Sequence, residues 1–310
     1  PSTEAIELLY RTLKRLTDNG SRPVIAISGN HDSPALIDAP EPLARECGII
    51  MAGYPDAEIK PLDLPGFSVK RSAPGFIELK INYLDYPVRV LLTPYANEVR
   101  MKEYFGDEKD KMLNQSLHDR WHTIADQYCD EAGVNILTAH LYMMNRQGAI
   151  LEEPEGEKPI RIGNADLVYS ESIPDQIQYT ALGHLHGYRD VGAEGHPAIY
   201  SSSPLPYSFS EAGQEKYVAI IEVEPGAKAN VRKIVLQKGR KLYRKTFNDI
   251  DLAVQWLELH PNALIELTIE SDSYITASDR KRLHQAHDGI IHLIPKIRNI
   301  DIEAAETSEI

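Results

Sequence analysis

Val24-Ile25-Ala26-Ile27-Ser28-Gly29-Asn30-His31-Asp32-Ser33-Pro34 decides how the rest of the chain is read. Val24 to Ile27 is a short apolar run, rich in β-branched residues, of the kind buried in a parallel sheet. Gly29 interrupts it and lets the backbone turn sharply. Asn30, His31 and Asp32 then fall where open α/β sheets bind their ligands, outside the carboxyl ends of the strands. An amide oxygen, an imidazole and a carboxylate in three residues suit a metal or phosphoryl site. A polar loop of turn formers would look the same, so this stretch alone does not separate the two.

Two later stretches repeat the arrangement. Val134 to His140 is an apolar run ending in a histidine, and Tyr179 to Gly187 ends in Gly183-His184-Leu185-His186. Three strands would thus deliver His or Asn at their carboxyl ends. The His-x-His spacing is expected to put both imidazoles on one side of an extended backbone, a ligand geometry.

Gly29-Asn30-His31-Asp32, Ala139-His140 and Gly183-His184-Leu185-His186 resemble the third, fourth and fifth motifs of the calcineurin-like metallophosphoesterases. Within that superfamily the chain is similar to the SbcD/Mre11 nucleases, the bacterial SbcD type in particular. Ser33 after the Asn-His-Asp run and the segment Tyr200 to Glu211 support the narrower likeness. Ala139 and Ser202 stand where the family usually has glycine. The superfamily's first two motifs, Asp-x-His and Gly-Asp-x-x-Asp, do not occur, and a segment carrying them is expected upstream of Pro1.

The resemblance implies a DNA nuclease that uses two divalent metal ions, Mn²⁺ for preference. Asn30, His140 and His184 would ligate one ion and His186 the other. His31 would contact the phosphate and assist the leaving group, with Asp32 orienting it. The remaining ligands would lie in the upstream segment, so this stretch alone is expected to be inactive. Tyr142, Arg146 and Ser203 are weaker candidates for substrate contact. The implied partners are DNA, an SbcC/Rad50-like ATPase and a second copy of the chain, joined through N-terminal helices. Two other readings keep the motifs: a phosphoesterase acting on another substrate, and an inactive DNA-end scaffold or ATPase-binding subunit.

Composition narrows the class. The chain has 310 residues, enough for one large core and a small extra domain. A net charge of -13 argues against a free-standing, strongly basic DNA binder, but not against a nuclease. No apolar run reaches membrane-spanning length and no secretory signal is visible. Cys47 and Cys129 have no metal-like spacing and suit a reducing, cytoplasmic compartment as free thiols.

Taken in order, Thr3 to Asp18 reads as a helix capped by Ser2, with an apolar stripe of Ile6, Leu9, Leu13 and Leu16. Leu8 and Tyr10 lie off that stripe. Residues 67–71, 76–82 and 88–93 read as antiparallel strands, and 111–132 as a long helix. His118 and His122 lie on that helix at i, i+4, a spacing that could clip a metal, and are read in preference as solvated residues. Residues 143–163 read as a long surface loop after the His140 strand. Residues 198–201, 217–223 and 231–236 are expected to complete a second sheet. Beyond residue 239 a β-α-β-α-β pattern follows. The fold is therefore α/β: a two-sheet sandwich of the metallophosphoesterase type flanked by helices, with a small C-terminal α/β capping domain. The expected division is a core over 1–238, the cap over 239–300 and an acidic tail over 301–310.

Overall fold

The structure is a computed structural model, and it describes residues 2–148 and 167–298. Part of the loop expected over 143–163, and the whole tail expected over 301–310, lie outside the described residues. Among the described residues the chain divides into two compact units. One holds residues up to 148 with 167–203 and 217–235; the other holds 204–216 and 236–298.

The first unit is built on an eight-stranded mixed sheet. Its spatial order is Arg189–Asp190, Ala198–Tyr200, Tyr179–Gly183, Val134–His140, Pro87–Thr93, Phe76–Ile81, Phe67–Ala73 and Leu62–Asp63. From Ala198–Tyr200 to Pro87–Thr93 the neighbours run parallel; the other pairs are antiparallel. The three central parallel strands therefore end together, with Thr93 beside Ala139 and His140 beside Gly183. Val24–Ile27 forms a separate parallel pair with Ile49–Ala52.

Side-chain alternation sorts this sheet's residues into two cores. Phe76, Leu91 and Leu137 face Leu113, Leu117 and Trp121 of the long helix Lys109–Tyr128. Ile77, Val90, Leu92 and Ile136 face the other way, toward Ile25, Ile27, Ile50 and Ala52 of the small parallel pair. The unit is thus a sandwich with the large sheet in the middle. Trp121 keeps its indole N–H satisfied inside this core by donating to Thr93 Oγ1 at 2.9 Å.

Three sequence expectations need correction. First, residues 217–236 do not join a second large sheet. Ala198–Tyr200 adds to the main sheet, while among the described residues Tyr217–Glu222 and Asn230–Val235 pair only with each other. Second, the His-x-His run is not extended: the strand ends at Gly183, and His184 turns with φ +117°. Third, the opening helix Thr3–Leu16 faces inward differently. Ser2 caps it as expected, accepting from the Ala5 N–H at 3.3 Å. Tyr10 and Leu13 pack against Ala44, Ile49 and Met51, so Tyr10 lies on the inner face. Leu8, Leu9 and Leu16 are exposed.

In the second unit, Leu242–Phe247, Leu264–Ser271 and Ile290–Ile297 form a parallel three-stranded sheet in that order. The helices Ile250–Glu258 and Ala277–Ala286 connect them. Ile265, Leu267 and Ile269 alternate inward against Ala253, Leu257 and Leu283, which makes a core of its own. Within residues 204–216, Lys216 and Glu211 form a buried ion pair.

Candidate metal centre

The loop after Val24–Ile27 is held from several sides. The Ser28 N–H donates to Ala52 O at 3.0 Å, and Ser28 Oγ donates to Gly53 O at 2.7 Å. The Gly29 N–H donates to Asp32 Oδ2 at 2.7 Å, so the Asp32 carboxylate closes the turn on itself. That contact is to the loop's own backbone. Asn30 is half-buried; His31 and Asp32 are exposed at the tip.

His140 stands at the end of its strand, one residue after the buried Ala139. Its ring passes between two glycines. A Cβ on Gly29 would sit 2.8 Å from His140 Cε1, and one on Gly183 would sit 2.9 Å from His140 Nδ1. Both motif glycines are therefore explained by the ring's need for space, and neither has a positive φ. His140 Nε2 lies 3.0 Å from Asn30 Oδ1. Two ligands about 2.1 Å from one ion and at right angles are about 3 Å apart, so these atoms have the spacing of neighbouring ligands.

His184 completes the cluster. Its ring centroid is 5.6 Å from that of His140, with the planes at 72°. It is buried, at 5 % exposure, and the ring of the buried Tyr142 meets it edge-on at 6.2 Å. The φ of +117° is a strained value for a side chain with a Cβ, of a kind that costs about 1–3 kcal/mol and collects at functional sites. His186 is half-buried, and its carbonyl accepts the Ser203 N–H at 3.1 Å. Ser203 is itself buried, so it braces this turn from beneath.

Among the described residues, no group of three or more His, Cys, Asp and Glu side chains gathers closely enough to hold an ion. The convergence is two imidazoles and one amide oxygen. That donor set fits one side of a site for a borderline divalent ion.

Of the weaker candidates, Tyr142 packs beside His184, and Arg146 is exposed. The Arg146 guanidinium lies over the Tyr169 ring at 4.4 Å, in a groove of about 640 Å³ lined also by Lys111, His118 and Glu171. The His118 and His122 rings are 4.0 Å apart on their helix.

Two braces went unread in the sequence. Tyr200 is fully buried; its hydroxyl donates to Leu141 O at 2.6 Å and accepts the Met143 N–H at 2.7 Å. It thereby fixes the backbone that follows His140. Burial pushes its phenol well above the ordinary value, so it stays protonated and can serve both roles. The other is Arg100, whose guanidinium reaches the backbone of the 28–32 loop. Tyr200 stands in the quoted Tyr200 to Glu211 segment, but Arg100 belongs to no motif.

No family model matches the chain. The SbcD subunit of nuclease SbcCD from Bacillus subtilis (strain 168) is 32% identical over 315 residues, an alignment that takes in 100% of this chain and 76% of that protein. Both the similarity along the entire chain and the meeting of its glycine and histidine motifs just past the carboxyl ends of three strands lead to the same assignment: the chain belongs to the SbcD family of nuclease subunits.

Proposed function

We propose that this protein is the nuclease subunit of an SbcCD-type assembly and hydrolyses phosphodiester bonds at DNA ends and hairpins in recombination and repair. The observation that carries the reading is the approach of Asn30 Oδ1 to His140 Nε2, 3.0 Å, with His184 alongside. Two divalent ions, Mn²⁺ by preference, would supply an activated water and neutralise charge on the phosphoryl oxygens.

Asn30, His140 and His184 would hold one ion, and His186 would contribute to the other. Asn30 Oδ1 can only accept, so His140 Nε2 is the donor in their present contact; to hold an ion through Nε2 the ring would take its other tautomer, with the proton on Nδ1. His31 is exposed at the loop tip, one residue from Asn30, and would give a proton to the leaving oxygen. Asp32 keeps the tip in shape through the Gly29 N–H. Arg146 would meet backbone phosphate, while Tyr142 and Ser203 shape the site from behind.

An SbcC-like ATPase and a second copy would complete the assembly and supply much of the DNA affinity, because a chain of net charge -13 releases few counterions by itself. The three-stranded unit beyond residue 239 would act as a capping domain. No helix among the described residues is long and apolar enough to cross a membrane. Cys47 and Cys129 are free thiols, which fits a reducing, cytoplasmic compartment. Burial pushes the Cys129 thiol up to about 11, which leaves it unreactive.

His31→Ala in the full-length protein tests the assignment. Cleavage should fall by about 10²–10⁴-fold, the usual worth of general acid–base help, with manganese content unchanged. Loss of manganese by elemental analysis would make His31 a ligand instead.

A further inference from the structure

Arg100 sits on the short helix Glu98–Met101, just after the Pro87–Thr93 strand. Asn97 caps that helix by accepting the Arg100 N–H at 2.9 Å, which fixes where the arginine starts. From there the side chain is half-buried and crosses to the ligand loop. Nη1 donates to Gly29 O at 2.9 Å and Ser28 Oγ at 3.3 Å. Nη2 donates to Asp32 O at 2.7 Å and Asn30 O at 3.4 Å. The guanidinium carbon lies 4.9 Å from the centre of the Tyr95 ring, and the Tyr95 N–H donates to Ser28 O at 2.9 Å.

A cation this close to a phosphodiesterase centre would ordinarily be read as a phosphate clamp. The hydrogen bonds argue otherwise. The two Nη atoms carry four N–H groups, and four loop acceptors meet them. Only Nε–H is left for a substrate. Burial also pulls the Arg100 pKa down, yet a guanidinium remains charged at any working pH.

We propose that Arg100 is a positioning residue: it fixes the backbone of residues 28–32 so that Asn30 Oδ1 stays opposite His140 Nε2, and it does not bind DNA phosphate. This deepens the nuclease reading and rests on it. Lysine could not replace it, because one ammonium cannot span four acceptors spread over five residues.

The test uses Arg100→Ala in the full-length protein, with two readouts taken without divalent metal. Amide hydrogen exchange over residues 28–32 should speed up by about tenfold or more, because the loop loses the four hydrogen bonds that hold it, while residues 24–27 keep their rate. The salt dependence of binding to a duplex oligonucleotide, read by fluorescence anisotropy, should keep its slope. With Mn²⁺, kcat should fall about 10–100-fold and KM should change little. A slope reduced by about 0.9 would make Arg100 a phosphate contact and overturn the proposal. So would unchanged exchange in the loop. If Arg100→Ala does not fold, Arg100→Lys is measured in the same way and should show the same faster loop exchange. Failure of the underlying nuclease reading shows elsewhere, as full cleavage by His140→Ala, and leaves the exchange result intact.

Discussion

Among the described residues, His184 and Ser202 hold positive φ close to the site, and the chemistry differs between them. His184 has no glycine's freedom, and its strain buys the placement of an imidazole against His140. Ser202, at φ +86°, stands where the family usually has glycine. Its hydroxyl accepts the Tyr217 N–H at 2.8 Å, an interaction that glycine cannot make. The strain of about 1 kcal/mol and the net worth of the bond, about 1 kcal/mol, nearly cancel. Ser202→Gly should therefore leave stability within about 0.5 kcal/mol, whereas Ser202→Ala keeps the strain, loses the bond and should cost about 1–2 kcal/mol. Urea unfolding of the two variants checks the order. Alanine equal to glycine would mean that the hydroxyl contributes nothing.

At the level of strands, the main sheet carries charge inside it. Arg89, at 4 % exposure, donates from Nε to Glu78 Oε2 at 3.0 Å and from Nη1 to Asp130 Oδ1 at 2.7 Å. Arg71 pairs with the same Glu78 from the neighbouring strand. Burial pushes the Glu78 carboxyl up, but the hydrogen bonds from Arg71 and Arg89 outweigh it and hold the carboxyl below its ordinary value. A depressed folded pKa gives stability that is present above the unfolded value of about 4.3 and is lost as pH falls through the folded value. Glu78→Gln should thus flatten the fall in stability below pH about 4.3. Arg89→Met should cost about 1–3 kcal/mol at neutral pH, because Glu78 loses one of its two arginines and keeps only Arg71. A loss below about 1 kcal/mol, measured by urea unfolding, would mean that solvent relaxes the pair.

The sequence showed these strands well where apolar runs were flanked by turn residues: 24–27, 76–81, 134–140 and all three strands of the second unit. It misjudged the His184 turn because a His-x-His spacing says nothing of φ. It also misplaced Tyr10, since a stripe chosen by hydrophobicity passes over an aromatic ring that packs inward. The meeting of Asn30 with His140 and His184 was legible as three strand ends. Arg100 was not, because contacts 68 to 72 residues apart in sequence leave no local pattern.

For the molecule as a whole, the opening helix leaves Leu8, Leu9 and Leu16 exposed, with Leu36 and Leu43 exposed on the helices that follow the loop. If the dimer forms through the N-terminal helices, this outer surface is where it would form, since Tyr10 packs inward. Leu9→Glu should convert a dimer into a folded monomer by light scattering at micromolar concentration. An unchanged mass would place the interface elsewhere. We propose that a metal-dependent nuclease site is built where Asn30, His140 and His184 meet. Its most direct test is His140→Ala in the full-length protein, measured for bound manganese and for Mn²⁺-dependent cleavage of a hairpin oligonucleotide. The variant should stay folded, lose bound manganese and cut at least about 10²-fold more slowly, since the ring is itself a ligand and even its supports are worth about 10–100-fold. Wild-type manganese content together with wild-type cleavage would contradict it.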